Sequence, residues 1–217
     1  MGSRVRTGTL IEVDPRFGVD PDRLRAEGWT GVFGRPAPLE VEVGFGNGIS
    51  LIEMARRRPE HNFVGVELYG RGIEKLGKRL AHEGIGNVRI VKGEGMEVLA
   101  DCFPRGAIHT FHCNFPDPWP KVRHHKRRFV GPALAVRLFD RVRPGGDLFF
   151  ATDFDCYAYQ MRDTFDAHPG FVNRAGSGEF LYRMPDRIVT KYEAKFAARG
   201  ATIRYLWYRR TEGGGGA

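Results

Sequence analysis

From Leu39 onward, short runs rich in β-branched and aromatic residues alternate with stretches of helical spacing. That alternation restricts the chain to parallel strands joined by crossover helices. Strands are predicted over 40–43, 63–66, 88–91, 108–113 and 148–151. Helices are predicted over 49–58, 72–83 and 132–141, closed by Pro59, Gly84 and the breaker Pro144-Gly145-Gly146. A further helix over 157–167, a helical stretch around Tyr192 and a last strand over 203–208 complete the same sheet instead of building a second domain. The expectation is a doubly wound α/β sheet occupying 39–210. Residues 1–38 hold several Gly and Pro and little periodicity, and they read as an irregular arm; 211–217 read as a flexible tail.

With 217 residues, of which 41% are hydrophobic and 28% charged, the chain can bury one substantial core and is too apolar to stay disordered. Its net charge of +8 favours a polyanion as partner, with nucleic acid first among them. Cys102, Cys113 and Cys156 are odd in number and widely spaced, the pattern of reduced packing residues in a cytosol. Arg4 and Arg6 are followed by no apolar run, and no stretch is long enough to cross a bilayer, so the expected location is cytoplasmic, with no membrane partner.

The first predicted strand runs into Glu42-Val43-Gly44-Phe45-Gly46-Asn47-Gly48, and a helix follows directly. Glycines here let the backbone turn sharply and approach a ligand, although a tight turn without ligand uses the same residues. A dinucleotide fingerprint needs its third glycine one residue later, where Ile49 stands, and this disfavours NAD. The spacing resembles the first motif of class I methyltransferases. Glu67 ends the second strand, where a carboxylate can accept from both ribose hydroxyls, and Glu94 follows the third. Each acid taken alone reads equally as a solvated loop residue; together they fall at successive strand ends, the edge where open α/β sheets bind ligands.

The segment Asn114-Phe115-Pro116-Asp117-Pro118-Trp119-Pro120-Lys121 follows the fourth strand. It continues into a basic run of Arg123, His124, His125, Lys126, Arg127 and Arg128. Prolines alternating with Asp117 and Trp119 stiffen the loop and hold both side chains in place. Here the chain resembles the bacterial tRNA (guanine-N7-)-methyltransferases, whose signature is this Pro-Asp-Pro-Trp segment followed by Lys and a basic run. The resemblance continues at Ala151-Thr152-Asp153 and Thr190-Lys191-Tyr192-Glu193, and covers about 39–208.

The resemblance implies a mostly parallel seven-stranded sheet of the class I, Rossmann-like type, S-adenosyl-L-methionine (SAM) as cofactor and tRNA as partner. It implies methylation at N7 of the variable-loop guanine at tRNA position 46, by a monomer or homodimer. By the same match Glu42, Gly44, Gly46, Gly48, Glu67, Glu94 and Asp117 are cofactor positions, Asp117 being also catalytic. Lys121, Asp153, Thr190, Lys191, Tyr192 and Glu193 are substrate positions, and Arg123 to Arg128 are RNA contacts. Glu94 departs from the pattern, since Asp is expected there at least as often.

Chemistry supports the assignment independently. Guanine N7 has an in-plane lone pair and no proton, so its methylation needs positioning and not a general base. Asp117 and Asp153 are candidates to accept from the N1–H and N2 amino group and to stabilise the charge that develops on the purine. Trp119 reads as a base-stacking or a packing residue. Adjacent His124 and His125 lack a ligand set, so no metal is expected. Two alternatives stay open: a class I methyltransferase for another base, a protein or a small amine, and a nucleic-acid-binding protein with a decayed cofactor site. SAM binding separates them.

Overall fold

The computed structural model describes residues 13–184 and 188–212. The elements are α1 (Pro21–Phe33), β1 (Leu39–Val43), α2 (Ile49–Arg57), β2 (Asn62–Glu67), α3 (Gly70–Glu83), β3 (Val88–Lys92), α4 (Gly95–Asp101) and β4 (Ile108–Asn114). After a 3₁₀ turn (Val122–Arg127) come α5 (Pro132–Arg141), β5 (Val142–Thr152), α6 (Asp155–Asp166), β6 (Phe171–Asn173), α7 (Lys191–Ala197) and β7 (Arg204–Arg210). The seven strands form one sheet in the order β3-β2-β1-β4-β5-β7-β6, and β7 runs antiparallel to both of its neighbours. The strand order reverses between β1 and β4. The carboxyl ends of these two strands therefore flank the crevice where such sheets bind ligands.

Alternation along the strands sorts side chains onto two faces. Val41 and Val43, Phe111 and Cys113, Leu148 and Phe150, and Leu206 and Tyr208 point to the layer built with α1, α4, α5 and α6. Phe63, Val88 and Ile90 face α2 and α3, which contribute Leu51, Ile52, Ile73, Leu76 and Leu80. No helix among the described residues is long and apolar enough to cross a membrane.

Three expectations need correction. The stretch read as an irregular arm contains α1. Asp20 caps it by accepting from the N–H groups of Asp22 and Arg23, Pro21 starts it and left-handed Gly34 ends it. Gly28, at φ 63° and ψ −175°, breaks the helix from within, which erases the apolar period. Just before it, Ile90 donates its N–H to the Phe17 carbonyl, so residues 17–19 cover the outer edge of β3. Strand β5 begins at Val142 and runs through Pro144-Gly145-Gly146, because the register shifts there: Ile108 pairs with Val142, but Thr110 pairs with Asp147. A bulge tolerates a proline that has no N–H to give. Finally, α4 and β6 were not anticipated. Arg4 and Arg6 of the arm and 213–217 of the tail lie outside the described residues.

Trp29 anchors α1: its ring stacks on Phe103 at 5.1 Å and its indole N–H donates to the Cys102 carbonyl at 2.9 Å. Trp29→Ala is expected to destabilise the whole domain by about 3 kcal/mol in urea unfolding, in a single transition. A loss below about 1 kcal/mol, within the range of surface substitutions, would make α1 a peripheral appendage.

Candidate active site

The first half of the site is a turn whose backbone favours glycine. Gly44, Gly46 and Gly48 have φ of 75°, 58° and 72°. A Cβ on Gly44 or Gly46 would project into open space, whereas one on Gly48 would meet Leu76 at 2.6 Å. The first two therefore leave a cradle above the turn, and the third packs it down onto α3. From the other side, a Cβ at Gly72 would lie 2.1 Å from the Gly46 carbonyl oxygen, so α3 also approaches the turn at contact distance.

Glu67 fixes this turn. Its carboxylate is largely buried and accepts from the Gly46 N–H at 2.9 Å and from the Leu68 and Tyr69 N–H groups at 2.7 and 3.1 Å. Glu42, also buried, accepts from the Asn114 side-chain amide at 2.9 Å, a link across the β1–β4 switch point that sequence reasoning did not find. Glu94 is exposed and caps α4, accepting from the Met96 and Glu97 N–H groups at 2.9 and 3.2 Å.

The second half is built on the ends of β4 and β5. The Phe115 N–H donates to the Ala151 carbonyl at 2.7 Å, joining the two strand ends. Phe115 and Trp119 have φ of 51° and 42°, left-handed values that side chains rarely adopt, and they bracket Asp117. The Phe115 ring lies 5.0 Å from that of Tyr192, which stacks on Phe196 at 4.3 Å. Burial raises the Tyr192 phenol above its ordinary range, and the negative charges of Asp153 and then Asp117 raise it further. The fold thus brings Asp117 and Asp153, from two separate parts of the sequence, within electrostatic reach of Tyr192.

The remaining expected residues divide. Thr190 caps α7 by accepting from the Glu193 N–H at 3.2 Å. Glu193 is turned inward, 1% exposed, and accepts from the Tyr205 hydroxyl, so its carboxylate does not reach the surface expected of a substrate contact. The side chain of Lys191 lies outside the described residues. Lys121, Arg123, Lys126 and Arg127 are exposed around the 3₁₀ turn, with Arg127 4.9 Å above the Trp119 ring, while His124 and His125 are half-buried. Arg128, expected among the RNA contacts, is instead buried against α6, because the 3₁₀ turn ends there and the chain turns inward toward Val130. No group of three His, Cys, Asp or Glu among the described residues is arranged to hold a metal ion.

Residues 36–206 match the model of a family described as "Putative methyltransferase". A tRNA (guanine-N(7)-)-methyltransferase of Geobacter metallireducens is 34% identical over 206 residues, which span 94% of this chain and 98% of the relative. That of Methylococcus capsulatus is 42% identical over 197 residues, 91% of this chain and 84% of the relative. The chain belongs to the tRNA (guanine-N7-)-methyltransferase family. Among solved structures, the antibiotic-resistance methyltransferase Kmr superposes with a TM-score of 0.57 at 20% identity, covering 90% of this chain and 95% of that one. Geranyl diphosphate methyltransferase in complex with GPP and sinefungin gives 0.54 at 16%, covering 82% and 73%. These likenesses establish the class I methyltransferase fold.

The grouping of Asp153 with Tyr192 has a direct consequence. In Asp153→Asn the Tyr192 phenol is expected to titrate at lower pH than in the parent, since a neighbouring negative charge opposes formation of phenolate. Carbon-13 NMR of ring-labelled tyrosine reads it; an unchanged titration would separate the two side chains.

Proposed function

We propose that the chain transfers a methyl group from SAM to N7 of a guanine in tRNA, the variable-loop guanine at position 46, forming 7-methylguanosine. The observation that carries this reading is that the open glycine turn after β1 and the carboxylates of Asp117 and Asp153, which follow β4 and β5, stand at the carboxyl ends of neighbouring strands of one sheet. Family membership supplies the substrate class, through relatives whose names specify guanine N7 of tRNA.

The cradle fits SAM. Gly44 and Gly46 leave space where side chains would intrude, Glu67 stands beside them for the ribose hydroxyls, and Glu42 lies under the turn for the methionine end. Gly48 serves indirectly, by seating the turn on α3. Glu94 is the proposed adenine contact, made by whatever acceptor capacity its capping role leaves. Three of the roughly four acceptor sites of the Glu67 carboxylate already serve backbone N–H groups. Accepting from both ribose hydroxyls therefore requires releasing one of these N–H groups, so the turn is expected to adjust on binding.

Bound SAM supplies an electrophilic methyl group on a sulfonium. The chain's own residues supply position and charge. N7 carries no proton, so nothing in the site has to remove one. Asp117 and Asp153 accept from the N1–H and N2 amino edge and offset the positive charge that grows on the purine. Tyr192 and Thr190 border the pocket; Glu193 acts by holding α7 to β7 through Tyr205. Lys121, Arg123, Lys126 and Arg127 meet phosphates, and His124 and His125 lie beneath them.

Methyl transfer from labelled SAM to unmodified tRNA, mapped by borohydride and aniline cleavage, is expected to place the label at N7 of a variable-loop guanine. Asp117→Ala should lower turnover by on the order of 10²–10³-fold in a folded protein. Label elsewhere would reassign the target base, and near-normal turnover in the variant would remove Asp117 from the chemistry. Replacing Arg123, Lys126 and Arg127 by Gln should raise the tRNA KM and flatten its salt dependence, by on the order of one unit of log–log slope for each phosphate no longer neutralised. An unchanged slope would move the RNA platform elsewhere, with the exposed Arg71, Lys75, Lys78 and Arg79 of α3 next in line.

A further inference from the structure

Arg128 closes the basic run yet has the surroundings of a core residue. Only 8% of it is exposed. A guanidinium offers five N–H groups in a planar fork, and here every one has an acceptor. Nε donates to the Pro118 carbonyl at 2.8 Å, Nη1 to Gln160 Oε1 at 2.6 Å and Nη2 to His125 Nε2 at 3.0 Å. Both terminal nitrogens also reach Cys156 Sγ, at 3.7 and 3.6 Å, and the Tyr157 ring lies 4.8 Å from Cζ. Because a guanidinium cannot accept, His125 Nε2 is the acceptor, and the proton of its neutral ring sits on Nδ1.

These partners are all neutral. Among the described residues no carboxylate pairs with Arg128. Burying a cation without a counter-ion costs free energy that an aliphatic side chain in the same space would not. The arrangement is explained by what it connects. Pro118 directly follows Asp117, while Cys156, Tyr157 and Gln160 form the first turns of α6, which starts two residues after Asp153.

Neighbouring bonds repeat the same connection. The Gln160 amide donates to the Val130 carbonyl at 3.0 Å and the Val130 N–H donates to the Tyr157 hydroxyl at 2.8 Å. At its other end the loop is held by the Phe115 N–H on Ala151. Between those ends, Pro116, Pro118 and Pro120 contribute no backbone N–H, so the loop has few donors with which to brace itself. The Nε of Arg128 supplies a donor from outside.

We propose that Arg128 is a positioning residue: it locks the Pro116-Asp117-Pro118 turn onto α6 and so sets where Asp117 stands relative to Asp153. It is not an RNA contact. This rests on the reading above, in which those two carboxylates hold the target base. A fork is required because three separate acceptors lie in different directions, and a lysine ammonium on a flexible stem does not reproduce that plane.

The test compares Arg128→Lys and Arg128→Ala with the parent, after circular dichroism and thermal melting show that they are folded. Two readouts are taken: steady-state kinetics with tRNA across a range of salt, and amide hydrogen exchange in the peptide spanning 114–121. The expected result is a fall in kcat on the order of 10²-fold in both variants, from misplacement of Asp117. The tRNA KM and its salt slope should stay at parental values, and exchange across 114–121 should accelerate. If Arg128→Ala does not fold, the lysine variant and Gln160→Leu carry the test, the latter removing one anchor without touching the charge. An unchanged kcat with a higher tRNA KM and a shallower salt slope would make Arg128 a phosphate contact and overturn the proposal, as would unchanged kcat together with unchanged exchange. The exchange readout needs no methyl transfer, so a parent inactive on tRNA would defeat the functional reading while leaving the positioning role open to measurement in the same samples.

Discussion

The carboxyl edge of the sheet is organised by one buried residue, Glu67. Its side chain takes the Gly46 N–H from the turn after β1 and the Leu68 and Tyr69 N–H groups from the turn after β2, while its carbonyl accepts the Gly93 N–H from the turn after β3. Three strand ends are thus registered on a single glutamate. Isolated, such a buried carboxylate would be costly, but charge-assisted bonds from backbone N–H groups offset its desolvation. Glycines follow from this: the turn must bring its N–H to Glu67 and leave room above, and only residues free to take positive φ without a Cβ satisfy both.

Across the switch point the constraint changes character. The loop that follows β4 carries Phe115 and Trp119 in left-handed conformations, each costing on the order of 1–2 kcal/mol for a residue with a side chain. The strain is held by packing: Phe115 against Tyr192, and Trp119 between the edge of His124 and the guanidinium of Arg127. Glycine would relieve the backbone cost but would forfeit those interactions and loosen Asp117. Packing of this kind trades backbone strain for a fixed direction of the Asp117 side chain.

How far the sequence alone reaches follows from which interactions are local. Strands β1, β2 and β3 are legible because buried parallel strands are short runs rich in Val, Ile and Phe, and the glycine turn is legible because its constraint acts on the backbone of the same few residues. Helix α1 was missed although Asp20-Pro21 is a start signal, since Gly28 interrupts the period that would have continued it. The early part of β5 was missed because Pro144-Gly145-Gly146 signals a break in nearly every setting except a bulge, and the bulge is set by pairing with β4. Within the site, Asp117 and Asp153 were legible from motif and chemistry, whereas the inward fate of Glu193 and Arg128 depends on Tyr205 and on α6. In a run of six basic or imidazole side chains nothing local distinguishes the one that is buried.

The buried member of that run bears on how the basic segment works. Were the segment a uniform platform, its charges would be interchangeable, and affinity would depend on their number alone. The structure gives them different surroundings according to the direction each residue takes from a tight 3₁₀ turn, in which side chains three apart eclipse one another. Arg123 and Lys126 face outward, Arg127 lies over Trp119, and Arg128 faces the core. His125 accepts from Arg128 from within the same turn, so the surface of the segment and the anchor beneath it share one short piece of backbone. Through Arg128 that short piece of backbone also reaches the Pro118 carbonyl, one residue from Asp117, so the basic turn and the proline-rich loop before it are braced as one unit.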